Sequence, residues 1–208
     1  MPDGPPEPPR RGRKYDQVLA GAREVFMADG FEGASVDDIA RASEVSKATL
    51  YTYFPDKKQL FLEVARAECL RQADTAIETI DRTAPVATVL RDIARQIVEF
   101  ITSRFGQQIF RICVAEAARF PQVGREFYDS GPGLACRELT EYFTDAEARG
   151  ELRIEDHALA AHQFQELCKA DIFPKLVFNI TDTFSEAEKA RVIDGAVEVF
   201  LARYGAKA

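Results

Sequence analysis

The feature that most constrains the fold is a pair of short apolar-patterned segments about three residues apart. Ser35 offers a side-chain oxygen as an N-cap, and apolar residues follow it at helical spacing as far as about Ser43. Ser46 is a second N-cap candidate and opens another helical stretch that ends near Phe54, immediately before a proline. Two short helices at this separation predict a helix-turn-helix.

Helical periodicity also runs through the rest of the chain. Asp56 and Gln59 stand at the spacing of a capping box and predict the start of a long helix. The sequence contains no alternating strand pattern of useful length and no internal repeat, so we expect an all-α fold. The other predicted helices cover residues 15–30, 89–120 with a break at Gly106, 123–149 with an interruption at 131–133, 156–179, and 185–204.

Composition separates a short N-terminal segment from two helical regions. Residues 1–14 contain five prolines, two glycines and four basic residues, so we expect a flexible basic arm. The periodicity then predicts a three-helix domain with the helix-turn-helix over residues 15–58. A larger helical domain is expected over residues 59–208.

The overall composition is that of an ordinary globular chain. Apolar residues make up 46% of the 208 residues and charged residues 29%, which excludes the disordered and fibrous classes. No run approaches the ~20 apolar residues that cross a bilayer, and no secretory signal is visible, so we expect a cytoplasmic protein without a membrane partner. The four cysteines include no CxxC pair, and we expect reduced thiols rather than a disulfide or metal framework.

The segment from Phe26 to Phe61 carries four motifs in close succession. They are F-x-x-x-G-F, D-I-A, V-S-K-x-T-L-Y-x-Y-F and P-D-K-x-x-L-F. At this spacing they closely resemble the DNA-binding region of TetR-family transcriptional regulators. Residues 115–128 and 147–153 are similar, more loosely, to the effector domain of an AcrR/AefR-like subgroup. The resemblance implies a homodimer on a double-stranded DNA operator, with a C-terminal helical domain for ligand binding and dimerisation.

The N-terminal end of the second short helix holds the main candidates for DNA contact. In a helix-turn-helix this helix enters the major groove, and Lys47 at its start can donate to guanine or to phosphate. The family pattern places Lys57 on a phosphate, although Lys57 and Lys58 also fit a solvated face. Tyr53 also fits packing alone, and the basic arm also fits a solubilising tail. The candidate DNA-contacting residues are Arg13, Lys14, Ser35, Ser46, Lys47, Ala48, Thr49, Tyr51, Thr52, Tyr53 and Lys57.

Two acidic residues depart from the family pattern near the expected DNA surface. Glu44 stands at the turn where relatives usually carry glycine, and Asp37 lies at the front of the first short helix. The formal net charge is −7, but residues 1–58 hold nine basic and ten acidic residues, so most of the acidity lies outside this region. We therefore expect modest non-specific DNA affinity, and binding that requires two spaced half-sites and falls steeply with salt.

The resemblance also implies a small-molecule pocket, and a dimer whose last two helices form a four-helix bundle. Aromatic and small polarizable side chains on helices are the pocket candidates, and each of them also fits plain core packing. Glu116 can engage a cationic ligand or a nearby arginine. His162 and Glu166 have metal-compatible spacing but no third ligand, which favours a solvated face or a dimer contact. The candidate pocket residues are Phe105, Ile109, Cys113, Glu116, Phe127, Phe164, Cys168 and Ile172.

These features predict a dimeric repressor that a small-molecule effector releases from a near-palindromic operator. The alternative is a helical DNA-binding module controlled by a protein partner or by thiol oxidation. An enzyme is not expected, because the chain has no Gly-rich phosphate loop and no GxSxG or HExxH motif. No cofactor and no metal are expected.

Overall fold

The computed structural model describes residues 12–206, except for the side chains of residues 69 and 72–79. Most of the predicted arm, residues 1–11, lies outside this range. The described residues form eleven α-helices, one isolated bridge and no named β-strand, so the all-α prediction is confirmed. The chain divides into two compact units, of which the first ends at Ala67 and the second begins at Glu68. The helices are α1 (Arg13–Gly33), α2 (Val36–Ala42), α3 (Lys47–Tyr53), α4 (Lys57–Thr79), α5 (Val86–Thr102), α6 (Arg104–Ala117), α7 (Pro121–Ser130), α8 (Pro132–Ala148), α9 (His157–Leu167), α10 (Ile172–Val177) and α11 (Glu186–Tyr204).

Helix α1 begins earlier than the sequence predicts. Arg13 and Lys14, which the composition assigned to the arm, form its first turn. Tyr15 lies in the same turn and is buried, and its packing stabilises a helical turn that local composition disfavours. Near the other end Gly30 has a φ of 75°, so the helix kinks at the residue where its end was predicted.

The two short helices of the first unit begin where predicted, because each has a serine cap. The Ser35 hydroxyl oxygen accepts a hydrogen bond from the Asp38 N–H at 3.1 Å, and the Ser46 oxygen accepts one from the Thr49 N–H at 3.1 Å. The turn between α2 and α3 places Glu44 at a φ of 51°. This is the left-handed region that favours glycine, the residue that relatives usually carry at this turn.

Helix α1 and the end of α2 approach each other too closely to admit a side chain at Gly21. A Cβ atom there would lie 2.3 Å from the Ser43 hydroxyl oxygen and 2.5 Å from the Ser43 nitrogen. Ser43 is buried, and its hydroxyl donates a hydrogen bond to the Val18 carbonyl oxygen at 3.3 Å. Glycine at position 21 therefore sets how closely α1 packs against the helix-turn-helix.

The core of the second unit is formed mainly by α5, α8, α9 and α11. The ring of Phe200 lies at its centre, with its centroid 5.0 Å from that of Phe143 and 5.1 Å from that of Phe164. Ser185 and Glu188 begin α11 with the predicted capping box. Among the described residues no helix combines the length and the hydropathy that a bilayer crossing requires.

The predicted break at Gly106 falls three residues earlier, at Ser103. The Ser103 hydroxyl oxygen accepts a hydrogen bond from the Gly106 N–H at 3.0 Å and so caps α6. Gly106 lies inside α6, where a Cβ atom would stand 2.1 Å from the Phe100 carbonyl oxygen. This glycine thus permits a close approach between α5 and α6 and does not end a helix.

The single helix predicted over residues 156–179 is wrong, because the chain forms α9 and α10 there. Asp171 precedes α10 with a φ of 64°, a conformation that cannot continue a right-handed helix. Its carboxylate pairs with Lys175 at 2.8 Å and with Arg191. These contacts, the hydrogen bond from Lys175 foremost, hold the pKa of Asp171 below its usual range.

We expect Gly21→Ala to lower the free energy of unfolding by roughly 1–3 kcal/mol, because the added methyl group overlaps Ser43 and the helices must separate. Thermal unfolding followed by circular dichroism measures the change. The matched control is Gly195→Ala in α11, where a Cβ would meet no heavy atom within 4 Å in the described structure. That variant should be neutral or slightly more stable. Equal melting temperatures for the two variants would contradict the assignment of Gly21 to a close helix contact.

Candidate nucleic-acid interface and ligand cavity

Helix α3 presents a polar face to solvent and an apolar face to the core. Leu50 is fully buried, whereas Tyr51 is 49% exposed. Lys47, Ala48 and Thr52 are exposed beside Tyr51, at the spacing that puts them on one side of the helix. The structure thus brings four of the predicted DNA-contacting residues together on one exposed face.

Several of the predicted hydroxyl contacts are engaged within the protein. The Ser35 hydroxyl donates to the Asp38 carboxylate, so its proton is used in the α2 cap. The Thr52 hydroxyl donates to the Ala48 carbonyl oxygen at 2.8 Å, and the hydroxyls of Ser46 and Thr49 lie 2.9 Å apart. In this arrangement Ser35 caps the start of α2, and its contact with phosphate stays a prediction.

The cation at the start of α3 is held by an acidic residue of α2. The Lys47 ammonium lies 2.6 Å from a carboxylate oxygen of Asp37, and both side chains are more than half exposed. The hydrogen bond to Asp37 raises the pKa of Lys47. The acidic residue that departs from the family pattern is therefore the partner of the lysine predicted to contact DNA, a pairing that the sequence did not indicate.

Lys57 is directed to the end of α1. Its ammonium donates to the carbonyl oxygens of Phe31 at 2.8 Å and Ala34 at 3.0 Å, and lies 4.5 Å from the centroid of the Phe31 ring. Cations are stabilised at a helix C-terminus by the carbonyl oxygens of its last turn. Two of its three N–H donors are thus used within the protein, and the phosphate contact of Lys57 stays a prediction.

The remaining predicted DNA contacts fall into two groups. Tyr53 is half-buried, and its ring packs edge-on against that of Tyr15 with 5.9 Å between centroids, in agreement with the packing alternative. Arg13 and Lys14 are exposed in the first turn of α1. Contact with DNA remains a prediction for all of these residues.

A cavity of about 290 Å³ lies within the second unit. Its wall is contributed by α5 to α10 and by the segment after α4, and most of it is apolar. At ~30 Å³ for each water the volume would hold roughly ten waters, so a small organic molecule fits. Aromatic rings of Phe100, Phe110, Phe127 and Phe173 contribute to the lining.

Only Phe127 of the eight predicted pocket residues lines this cavity. Phe105, Ile109 and Cys113 are buried on another face of α6, and the cavity face carries Gly106 and Phe110. One residue along a helix rotates the side chain by about 100°, so these neighbouring positions point in different directions.

In the segment from α9 to α10, too, the predicted residues and the cavity-lining residues are neighbours along the chain. Phe164, Cys168 and Ile172 belong to the core cluster, whereas Gln165 and Lys169 face the cavity. Glu116 also does not line the cavity. None of these seven residues lines the cavity, and their contact with a ligand stays a prediction.

Polar side chains occur at a few points of the cavity wall. Arg82 and Glu138 form an ion pair at 3.8 Å. The Tyr142 hydroxyl is buried, and burial raises its pKa. The side-chain amide of Gln165 donates a hydrogen bond to the Pro132 carbonyl oxygen at 3.2 Å.

The histidine and glutamate considered for a metal have other partners. His162 Nδ1 lies 3.1 Å from the Cys136 sulfur, and Glu166 pairs with Lys169 at 2.7 Å. The described part of the chain contains no group of three His, Cys, Asp or Glu side chains placed to hold a metal ion.

Three cysteines, Cys113, Cys136 and Cys168, are free and buried, and the side chain of Cys69 is not described. Burial raises the pKa of the Cys136 thiol, which also accepts a hydrogen bond from Gln165 at 2.8 Å. Burial raises the pKa of Cys168 to about 12. Such thiols are poor nucleophiles, because the thiolate is the reactive form.

Two family models match this architecture. A model of bacterial regulatory proteins of the tetR family matches residues 18–64, which contain the helix-turn-helix. A model of the C-terminal domain of AefR-like transcriptional repressors matches residues 88–206, which contain the cavity. A helix-turn-helix followed by such a domain defines a transcriptional regulator, a class without enzymatic activity. The chain belongs to the TetR family.

Known proteins agree with this assignment over different lengths. The chain is 39% identical to the HTH-type transcriptional repressor AcnR of Corynebacterium efficiens over 62 residues, 30% of this chain and 33% of AcnR. It thus spans about a third of that relative. The HTH-type transcriptional activator FasR of Mycolicibacterium smegmatis is 34% identical over 155 residues, 74% of this chain and 64% of FasR.

Solved structures extend the similarity over nearly the whole chain. A TetR-family regulator from Mesorhizobium loti has a TM-score of 0.80 at 28% identity, and the match covers 93% of this chain and 97% of that one. The flavonoid-responsive regulator FrrA has a TM-score of 0.69 at 34% identity, with 95% of this chain and 100% of that one covered.

We expect Asp37→Asn to strengthen binding to a mixed-sequence DNA duplex severalfold at low salt, because it frees Lys47 and removes a negative charge. If Lys47 then pairs with a phosphate, the slope of log affinity against log salt becomes steeper by about one. Fluorescence anisotropy over a salt series measures both quantities.

The control for this experiment is Asp92→Asn, which breaks an exposed ion pair with Arg95 in the second unit and makes the same change in net charge. Its slope should be that of the unmodified chain. In a Lys47→Gln background, Asp37→Asn should no longer steepen the slope. An unchanged slope in the single variant would show that Lys47 does not reach phosphate when freed.

We expect the three buried thiols to resist modification in the folded protein. In a Cys69→Ser variant, iodoacetamide at pH 8 should label Cys113, Cys136 and Cys168 only after denaturant is added, because all three side chains are buried and burial raises the pKa of Cys136 and Cys168. Mass spectrometry of the labelled peptides measures this. Rapid labelling of the native protein at Cys136 or Cys168 would favour control by thiol oxidation.

Proposed function

We propose that this chain is a dimeric, sequence-specific DNA-binding repressor, and that a small-molecule effector releases it from a near-palindromic operator. The observation that carries the proposal is the exposed face of α3, where Lys47, Ala48, Tyr51 and Thr52 stand side by side. The major groove, ~12 Å wide, admits one helix, and such a face offers donors and methyl groups to base edges.

Dimerisation through α9 and α11 is supported by apolar side chains that remain exposed on both helices. Leu159 on α9 is 51% exposed, and Val199 on α11 is 55% exposed. A second subunit would remove such surface from water. A two-fold dimer would set its recognition helices ~34–36 Å apart, one turn of DNA, which favours a near-palindromic operator.

Repression is the direction that the relatives favour. The model matching residues 88–206 is one of AefR-like transcriptional repressors, and AcnR is named as a repressor. FasR is named as an activator, so the direction of control remains part of the proposal.

Release by a small molecule is supported by the cavity and by one relative. The name of FrrA describes it as flavonoid-responsive, and its structure covers almost the whole of this chain. Ile80 and Arg82 line the cavity and follow directly after α4, which begins at Lys57. A ligand that moves this segment would shift α4 and with it the recognition helices, at a coupling of ~1–3 kcal/mol or 5- to 150-fold in operator affinity.

The test begins with selection of the genomic fragments that the full chain binds. On a selected fragment, we expect Lys47→Ala and Tyr51→Ala to lower affinity in gel-shift titrations by about tenfold or more, the effect of losing a base contact. Lys189→Ala on α11 is the control and should bind normally. Size-exclusion chromatography with light scattering should find every variant dimeric. Normal operator binding by the Tyr51 and Lys47 variants would exclude α3 as the reading helix.

The effector is tested on the same fragment with a panel that begins with flavonoids. A compound that binds the protein and lowers operator affinity supports release. Compounds that bind the cavity and leave operator affinity unchanged would refute it, and would point to control by a protein partner.

A further inference from the structure

The cavity carries more positive than negative groups. Arg82, Arg111 and Lys169 line it, and Glu138 is the single carboxylate among its described lining residues. Most of the remaining wall is apolar. An excess of positive groups in the wall favours a negatively charged ligand.

The positive charge of Arg82 is already balanced by a carboxylate. Arg82 lies 3.8 Å from the carboxylate of Glu138, and its guanidinium stands 5.8 Å from the centroid of the Tyr142 ring. Both members of the pair are about one-third exposed. A ligand gains little by replacing either partner, because the pair is neutral as it stands.

The second cation is held by neutral groups. Arg111 donates to the Leu176 carbonyl oxygen at 3.0 Å and to the side-chain oxygen of Asn179. These contacts fix the position of the guanidinium and leave its charge uncompensated. A guanidinium fixed in this way is suited to bind a planar carboxylate or a similar anion.

The third cation has a partner that lies largely in water. Lys169 pairs with Glu166, whose side chain is 71% exposed, whereas the lysine side chain is only 23% exposed. An ion pair with one member in solvent contributes little, so the ammonium can turn to a ligand at small cost. It lies 5.7 Å from the centroid of the Phe173 ring, which packs edge-on against Phe110 at 4.9 Å.

Arg111 and Lys169 therefore both belong to the aromatic part of the cavity. Lys169 is one turn before Phe173, and Leu176, which Arg111 contacts, is one turn after it. The rings of Phe110 and Phe173 also line the cavity and offer apolar contact area. The arrangement matches a molecule with an apolar body and an anionic group.

We propose that the cavity selects a small apolar monoanion, with its carboxylate or similar group bound by Arg111 and Lys169 and its body against the aromatic wall. The inference rests on the proposed function, which makes this cavity the effector site. It disfavours the cationic ligand that Glu116 suggested, because Glu116 does not line the cavity. Hydrogen bonds with an ionised partner are about twice as strong as neutral ones, so the anionic group would supply part of the selectivity although Arg111 is exposed.

The test compares two fluorescent probes that share an aromatic body and differ in charge. The anion is 8-anilinonaphthalene-1-sulfonate, and its uncharged counterpart is N-phenyl-1-naphthylamine. We expect the full chain to bind the sulfonate about tenfold more tightly, as charge-assisted hydrogen bonds would produce. Decanoate should displace the bound sulfonate at lower concentration than decanol. Equal affinities, tighter binding of the neutral probe or no binding of either would overturn the proposal.

Two variants connect the preference to the named residues. Lys169→Met removes one cation, and Arg111→Gln removes the other together with its hydrogen bond to the Leu176 carbonyl oxygen. Each should weaken the sulfonate severalfold and leave the neutral probe within about twofold of its original affinity. Circular dichroism checks that each variant folds. If the Arg111→Gln variant is unfolded, the result for Lys169→Met decides the test by itself.

Lys189→Met is the matched control, because Lys189 pairs with Glu186 at 2.8 Å in the same i,i+3 geometry and is 21% exposed, but lies outside the cavity lining. It should leave both probes unaffected, and a loss equal to that of Lys169→Met would indicate surface binding and overturn the proposal. The proposed function is tested separately. Operator release by an uncharged or cationic compound would refute this inference alone, whereas selective anion binding without any effect on the operator would refute the proposed function.

Discussion

The helix-turn-helix depends on satisfying the backbone N–H groups at the start of its two short helices. A helix of seven residues is marginal in isolation, and α2 and α3 are both of this length. A serine side chain caps each of them, and Ser103 and Ser185 cap α6 and α11 in the same way. With ends so defined, the apolar faces meet in two cores, and the exposed face of α3 stays free of core packing.

This dependence explains what could be predicted from the sequence. Caps are local, so Ser35 and Ser46 located the two short helices, and the motifs around them indicated the family. The split between α9 and α10 was missed because it follows from a positive φ at Asp171, and aspartate is compatible with both conformations. A pairing such as that of Asp37 with Lys47 joins two helices, and no local pattern signals it.

The sequence predicted a pocket in the larger helical domain but not the residues that line the cavity, and the reason is geometrical. Helix α6 has large apolar side chains on two faces, so periodicity does not distinguish the face in the core from the face along the cavity. Ile109 and Phe110 are neighbours of similar hydrophobicity, and one is fully buried while the other lines the cavity. Only the packing of the surrounding helices decides between them.

The junction between α5 and α6 has a further consequence. The two helices meet backbone to backbone at Phe100 and Gly106, and both residues also line the cavity. The angle between α5 and α6 is set by main-chain contact and by the Ser103 cap. This angle therefore does not depend on the size of the side chains that face the ligand. Substitutions of the Phe100 or Phe110 ring can therefore change which molecule is bound and leave the junction of the two helices intact. Ligand selectivity in such a chain can diverge rapidly among descendants that keep the same fold.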